Sequence, residues 1–247
     1  MLGRFLEVSV SAPDVLESVD FYRRLGFSEA TVGETWTHPY AVATDGRLAI
    51  GLHTYEFASP ALTFVKPDLR THLAELARLG LHPAYQKLSE EQFNEVGFLD
   101  PGGQMLTLIE ARTYSPPDRG RNEASLCGYF AEFGTPQGDF GAAVEFWDKL
   151  GFVAAEETQE PFVRISLTSD HLDIGLYRPA DFPKPVLLFV DSDLPRRLQK
   201  IRAAGIEPES RLPSALDPAS SAMFIAPEGT QLVLLARKTL EFDHAIR

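Results

Sequence analysis

The sequence predicts an α+β fold made of four strand–helix–strands units arranged as two tandem copies. Three observations lead there. A helical motif recurs 125 positions further on, alternating strands flank it at the same offset, and a proline- and charge-rich stretch separates the copies.

The helical motif, Asp14 to Phe27 (DVLESVDFYRRLGF), returns without a gap as Asp139 to Phe152 (DFGAAVEFWDKLGF). Asp14 and Asp139 are expected N-caps, since a carboxylate there accepts the first free backbone N–H groups. Val15, Val19, Tyr22 and Leu25 share one helical face, and Phe140, Val144, Trp147 and Leu150 hold the same slots in the second copy. Gly26 and Gly151 are the expected stops, able to take the left-handed conformation. A short alternating strand precedes each helix (5–10 and 130–134), and Glu7 and Glu132 fall at equivalent positions on these strands.

The second unit repeats too. Ala61 to Val65, a helix-capping Asp68 and a helix ending at Leu79-Gly80 match Val186 to Val190, Asp193 and a helix ending at Ala204-Gly205. Each copy closes with a turn and a strand, Asp100-Pro-Gly-Gly in one and Ala226-Pro-Glu-Gly in the other. The offset there is 126, so one residue is inserted in the preceding loop. Arg112 to Ser125 lacks periodicity and reads as a linker. The expected layout is a first domain at 1–112 (units 1–56 and 60–112), a linker at 113–125, and a second domain at 126–247 (units 126–181 and 185–237).

Composition narrows the function classes. Of 247 residues, 44% are hydrophobic and 23% charged, the balance of a soluble globular protein. No apolar run approaches the roughly 20 residues of a membrane helix. The first ten residues alternate like a strand rather than forming a signal peptide, so the cytoplasm is the expected compartment. A net charge of −12 repels phosphate backbones and anionic lipid, which sets aside nucleic acid and membranes as partners. A small molecule remains the expected partner, to a monomer or a homodimer. Cys127 is the single cysteine; it allows no intramolecular disulfide or cysteine metal cluster, and reads as a buried, inert thiol.

Asp14, Ser18, Phe21, Tyr22, Leu25, Gly26 and Phe27, with Asp100, Pro101, Gly103 and Leu108, resemble the motifs of the vicinal-oxygen-chelate superfamily of glyoxalases, bleomycin-resistance proteins and extradiol dioxygenases. The resemblance covers essentially the whole chain. It implies four βαβββ modules in two tandem glyoxalase/bleomycin-resistance-like domains, whose curved mixed sheets form cups. It does not fix the chemistry, because the scaffold hosts enzymes and binding proteins alike.

The resemblance also says where metal ligands would stand. Here the first-strand positions are Glu7 and Glu132, the even-module positions Ala61 and Val186, and the last-strand positions Thr107 and Val233. A fourth position holds Gly51 and Gly175. A divalent metal needs at least three convergent N, O or S ligands. One carboxylate per site falls short, so no metal and no other cofactor is expected; a divalent metal held by an unusual set is the rival. His53, two residues beyond Gly51 and on the same strand face, is the histidine best placed to join such a set.

Strand alternation assigns the cup linings. Phe5, Glu7, Ser9, Gly51, His53, Tyr55, Ala61, Thr63, Met105, Thr107 and Ile109 line the first. Glu132, Gly134, Gly175, Tyr177, Val186, Leu188, Gln231 and Val233 line the second, more apolar one. Trp36, Tyr40 and Phe162 fall on second strands or their loops, as core, rim or stacking platform. The candidate ligand-binding set is therefore Glu7, Trp36, Gly51, His53, Tyr55, Thr63, Met105, Thr107, Glu132, Tyr177 and Gln231. The leading expectation is a metal-free protein that binds a small, partly apolar molecule in one or both cups. Three alternatives stay open: a metal-dependent lyase, dioxygenase or thiol transferase, a metal-free isomerase with Glu7 as base, and a scaffold with vestigial cups.

Overall fold

The computed structural model describes residues 2–30, 38–89, 94–110 and 125–237; Trp36 and nearly all of the expected linker lie outside them. In the first copy the elements run β1 (Arg4–Ser11), α1 (Val15–Arg24), β2 (Ser28–Glu29), β3 (Tyr40–Thr44), β4 (Ala49–His53), β5 (Ala61–Lys66), α2 (Leu69–Arg78), β6 (Tyr85–Lys87), β7 (Glu95–Leu99) and β8 (Met105–Glu110). In the second they run β9 (Tyr129–Pro136), α3 (Phe140–Lys149), β10 (Val153–Ala154), β11 (Arg164–Thr168), β12 (Asp173–Tyr177), β13 (Val186–Asp191), α4 (Leu194–Ala203), β14 (Ser221–Ile225) and β15 (Gln231–Ala236).

Each copy makes one mixed sheet, ordered β2-β3-β4-β1-β5-β8-β7-β6 in the first and β10-β11-β12-β9-β13-β15-β14 in the second. The two units of a copy thus meet along an antiparallel β1–β5 or β9–β13 pair, which settles how the modules combine. The first sheet is curled. Tyr55, just beyond β4, feels the charge of Glu95 on β7, although β1, β5 and β8 lie between those strands. In a flat sheet that separation would be about 19 Å, four spacings of roughly 4.8 Å.

Three of the four helices are capped as the sequence predicts. Asp14, Asp139 and Asp193 accept from the backbone N–H of Glu17, Ala142 and Arg196 at 3.0, 3.1 and 3.3 Å. Gly26 and Gly151 end α1 and α3 at φ +85° and +93°. Asp68 departs from the expectation. It sits in the left-handed region (φ 53°) and makes no side-chain cap. Parallel pairing of β5 with β8 sets Glu110 beside Lys66, and Glu110 Oε1 accepts from Leu69 N at 3.0 Å in its place.

A second departure concerns Phe5. A β-bulge between Phe5 and Glu7 breaks the alternation. Phe5 therefore packs with the central core, its ring 5.4 Å from Phe64, while Glu7 keeps its place in the cup. The second copy has the same irregularity on β9. Phe130 goes to the core and Ala131 to the cup side.

One continuous apolar cluster contains residues of all four helices and of the helix-facing side of both sheets. The helices accordingly lie on the shared side, and the two cups open away from each other. Cys127 is buried in this cluster, and burial pushes its thiol well above the ordinary value, as expected of an inert cysteine. No helix among the described residues is long and apolar enough to cross a membrane.

Candidate functional site

The first cup is built around the Glu7 carboxylate, which is 1% exposed. Room for it comes from Gly51 on the neighbouring β4, where a Cβ would stand 2.1 Å from Glu7 Oε1. Oε1 accepts from Ser9 Oγ at 2.8 Å and lies 2.9 Å from His53 Nε2; Oε2 accepts from Tyr40 Oη at 2.5 Å. Ser9 Oγ also meets Thr63 Oγ1 at 2.7 Å. His53 continues outward through its other nitrogen, with Nδ1 3.0 Å from Nε2 of the partly exposed His38. A hydrogen-bonded chain thus runs from the buried carboxylate to the mouth of the cup.

Aromatic rings line that mouth. His38 and Tyr55 stand 4.5 Å apart edge to face, Tyr55 and Phe57 4.9 Å, and Tyr40 and His53 4.6 Å. Across the curl, Tyr85 on β6 donates to Glu95 Oε1 at 2.6 Å and lies 3.3 Å from Thr107 Oγ1. Gly97 leaves room for the Tyr85 ring. Burial, reinforced by the charges of Glu95 and Glu7, pushes the Tyr55 phenol up to about 12. Burial and the neighbouring His53 hold His38 below its ordinary value, with Glu95 opposing.

The second cup uses the same scaffold differently. Glu132, fully buried, accepts from Tyr177 Oη, from Ser166 Oγ at 3.1 Å and from Arg164 Nη1 at 3.1 Å. Phe162, Phe182, Leu188, Leu216, Met223 and Val233 close over it as an apolar cluster. Tyr177 is fully buried, packed 5.2 Å from Phe162 and 5.1 Å from Phe182. Gln231 sits at the start of β15, half-buried and paired with Ile225.

Of the candidate set, Glu7, Gly51, His53, Tyr55, Thr63 and Thr107 therefore come together in the first cup. Met105 pairs with Ala61 and Leu99 near the end of the sheet. Sequence reasoning left His38 and Tyr40 unassigned and missed Tyr85, Glu95 and Arg164. The available signal was spacing: Tyr40 and Val42, like Glu95 and Gly97, alternate along short strands facing residues already assigned to the cup.

The positions that the fold family uses for a metal do not suit one here. Glu7 has three hydrogen-bonding neighbours of its own, and Ala61, Gly51 and Thr107 complete the set; Glu132 is paired with Arg164 beside Val186, Gly175 and Val233. Among the described residues no group of three or more His, Cys, Asp or Glu side chains converges to hold a metal ion.

No protein-family model matches the sequence, nor does any curated protein. Solved structures do match. A catechol 2,3-dioxygenase aligns at TM-score 0.57 and 16% identity, over 94% of this chain and 87% of that one. The 2,3-dioxygenase LapB from Pseudomonas sp. KL28 gives 0.62 and 16%, over 94% and 91%. Homoprotocatechuate 2,3-dioxygenase from B. fuscum gives 0.62 and 16%, over 94% and 70%. Likeness at this identity shows the fold alone: a tandem α+β protein with the architecture of these dioxygenases. Within that class, this chain has one polar, aromatic-rimmed cup and one filled by its own side chains.

Proposed function

We propose that the first cup binds a small, partly apolar organic molecule without a metal, and that the second cup is structural. The contrast between the cups carries this reading. The first joins buried polar groups (Glu7, Ser9, Thr63, His53) to a partly exposed aromatic rim, the pattern of a small-molecule site. The second spends the same space on Phe162, Phe182, Leu216 and Met223. A thermal-shift screen against small aromatic and oxo-acid compounds is the direct test. Stabilisation by a hit, weakened by Tyr55→Ala and by Glu7→Gln, supports the reading. Stoichiometric Zn, Fe, Mn or Ni in purified protein, lost in Glu7→Ala, overturns its metal-free part and favours a metal enzyme such as the dioxygenases of like fold.

The Glu7–His53–His38 chain favours a second reading, a metal-free isomerase with Glu7 as base. A base that takes a proton from carbon needs a route to solvent, and this chain is one. Against it, a substrate must displace one of the three groups already bonded to the carboxylate. Deuterium exchange at carbon in a bound oxo-acid, abolished by Glu7→Gln, separates catalysis from binding.

A further inference from the structure

The two copies hold equivalent carboxylates, and they neutralise them differently. In the first sheet Tyr40 pairs with His53 and Val42 with Gly51; in the second Arg164 pairs with Tyr177 and Ser166 with Gly175. Tyr40 and Arg164 are thus equivalent positions, as are His53 and Tyr177. Glu132 has the guanidinium of Arg164 on Oε1. Glu7 has the neutral phenol of Tyr40 on Oε2 and the imidazole of His53 2.9 Å from Oε1, and among the described residues no lysine or arginine pairs with it.

The first cup adds a second acid. Glu95 pairs with Ile109 as Ser221 pairs with Leu235, so a serine holds its place in the second copy. Among the described residues its ion-pair partner is Lys87, whose Nζ lies 3.4 Å away on a side chain 71% exposed. Both acids raise the Tyr55 phenol after burial does, so their fields overlap where the rim rings stand. Aromatic faces attract cations, most strongly where water is excluded.

We infer that the first cup takes an organic cation, a small amine or guanidine on a flat apolar body, whose charged group does for Glu7 what Arg164 does for Glu132. This rests on the reading that the first cup binds a small molecule. The filled second cup serves as an internal picture of the occupied first one: a carboxylate, a cation on it, and rings packed against the tyrosine that shares the carboxylate.

Calorimetric titration with three matched probes tests it: phenethylamine, 2-phenylethanol and 3-phenylpropionate, near pH 7.5 where the amine is charged. The amine should bind at least about tenfold more tightly than either companion, and Glu95→Gln, at a half-buried and replaceable position, should remove most of that margin. Tyr40→Arg should abolish amine binding while leaving the protein folded, because it installs the second cup's own cation. Equal binding of all three probes, lost in Tyr55→Ala, overturns the cation and leaves the small-molecule site standing. Preference for the amine that survives both Glu95→Gln and Tyr40→Arg overturns it as well. Failure of all three probes to bind at about 10 mM, where ligands of this size register, overturns both readings.

Discussion

Tyr22 and Trp147 occupy equivalent positions on α1 and α3, and each gives its one polar hydrogen to a carboxylate in the closing turn of the other copy. Tyr22 Oη donates to Glu228 Oε1 at 2.6 Å, and Trp147 Nε1 donates to Asp100 Oδ2 at 3.3 Å. Ser18 Oγ joins Tyr22 on Glu228, and Gln137 Nε2 joins Trp147 on Asp100. The copies are therefore tied reciprocally, turn to helix and helix to turn, at the edges of their common core.

Asp100 is the more demanding of the two acids. Its Oδ1 accepts from the backbone N–H of Gly102 and Gln104, and its Oδ2 from Gln137 and Trp147. Burial raises its carboxyl, and these four donors oppose the rise. An amide at this position must turn an N–H₂ toward donors. Asp100→Asn is expected to cost about 1–3 kcal/mol by urea denaturation, and Tyr22→Phe about 1–2 kcal/mol because half-buried Glu228 keeps access to water. Equal, negligible losses would mean that the apolar core alone joins the copies.

Arg164 and Glu132 form a buried ion pair at 3.1 Å, with side-chain exposures of 5% and 1%. Removing the cation alone leaves a buried charge with only hydroxyl partners. Arg164→Met should destabilise the protein by about 3–5 kcal/mol, and the double variant with Glu132→Gln should recover a good part of the loss. Chemical denaturation of the single and double variants decides this; additive losses would show that the pair is not coupled.

Gly51 yields its side-chain space to Glu7. Gly51→Ala would put a methyl 2.1 Å from Oε1 and 2.2 Å from Cδ of that carboxylate. Overpacking of this kind costs about 1–3 kcal/mol. Adding Glu7→Ala should relieve it, so that the double variant is more stable than the sum of the singles allows. Ligand binding in the cup should be lost in Gly51→Ala itself.

His38 gives the cup a pH dependence. Burial and His53 hold its protonation below the ordinary value of 6.5, with Glu95 opposing. A base depressed in the folded state costs nothing above 6.5; below it the unfolded chain takes the proton first, and stability falls as pH drops through the folded value. Burial depresses His72 in the same direction. Melting temperature should therefore decline from pH 7.5 to 5 more steeply in the wild type than in His38→Gln. Parallel curves would place His38 outside the titrating set.

The fold was legible because duplication repeats every local signal. Caps at Asp14 and Asp139 and stops at Gly26 and Gly151 recur at one offset, and the strands recur within one residue of it. Local signals misled where a neighbour in space took over a role, as Glu110 does from Asp68, or where a bulge shifted the alternation, as at Phe5. In the site, Glu7, Ser9, Thr63 and His53 could be placed together because alternation assigns a face. That Glu95 acts on Tyr55 from the far side of the cup could not be read, since alternation assigns a face but says nothing of which strands a curled sheet brings opposite each other. Arg164 was hidden by its place at the start of a short strand, with no sequence mark of its partner.

The longer strands of these sheets carry two sets of residues with different masters. Leu62 and Phe64 answer to the helices and, through them, to the other half of the chain; Ala61 and Thr63, between and beside them, answer to the cup. The cup face can therefore be altered at alternate positions without disturbing the joint, and the joint can be reinforced without reshaping the cup. Such a layout lets one face of a half be rewritten while its twin, with Arg164 paired to Glu132 inside it, keeps its side of the joint unchanged.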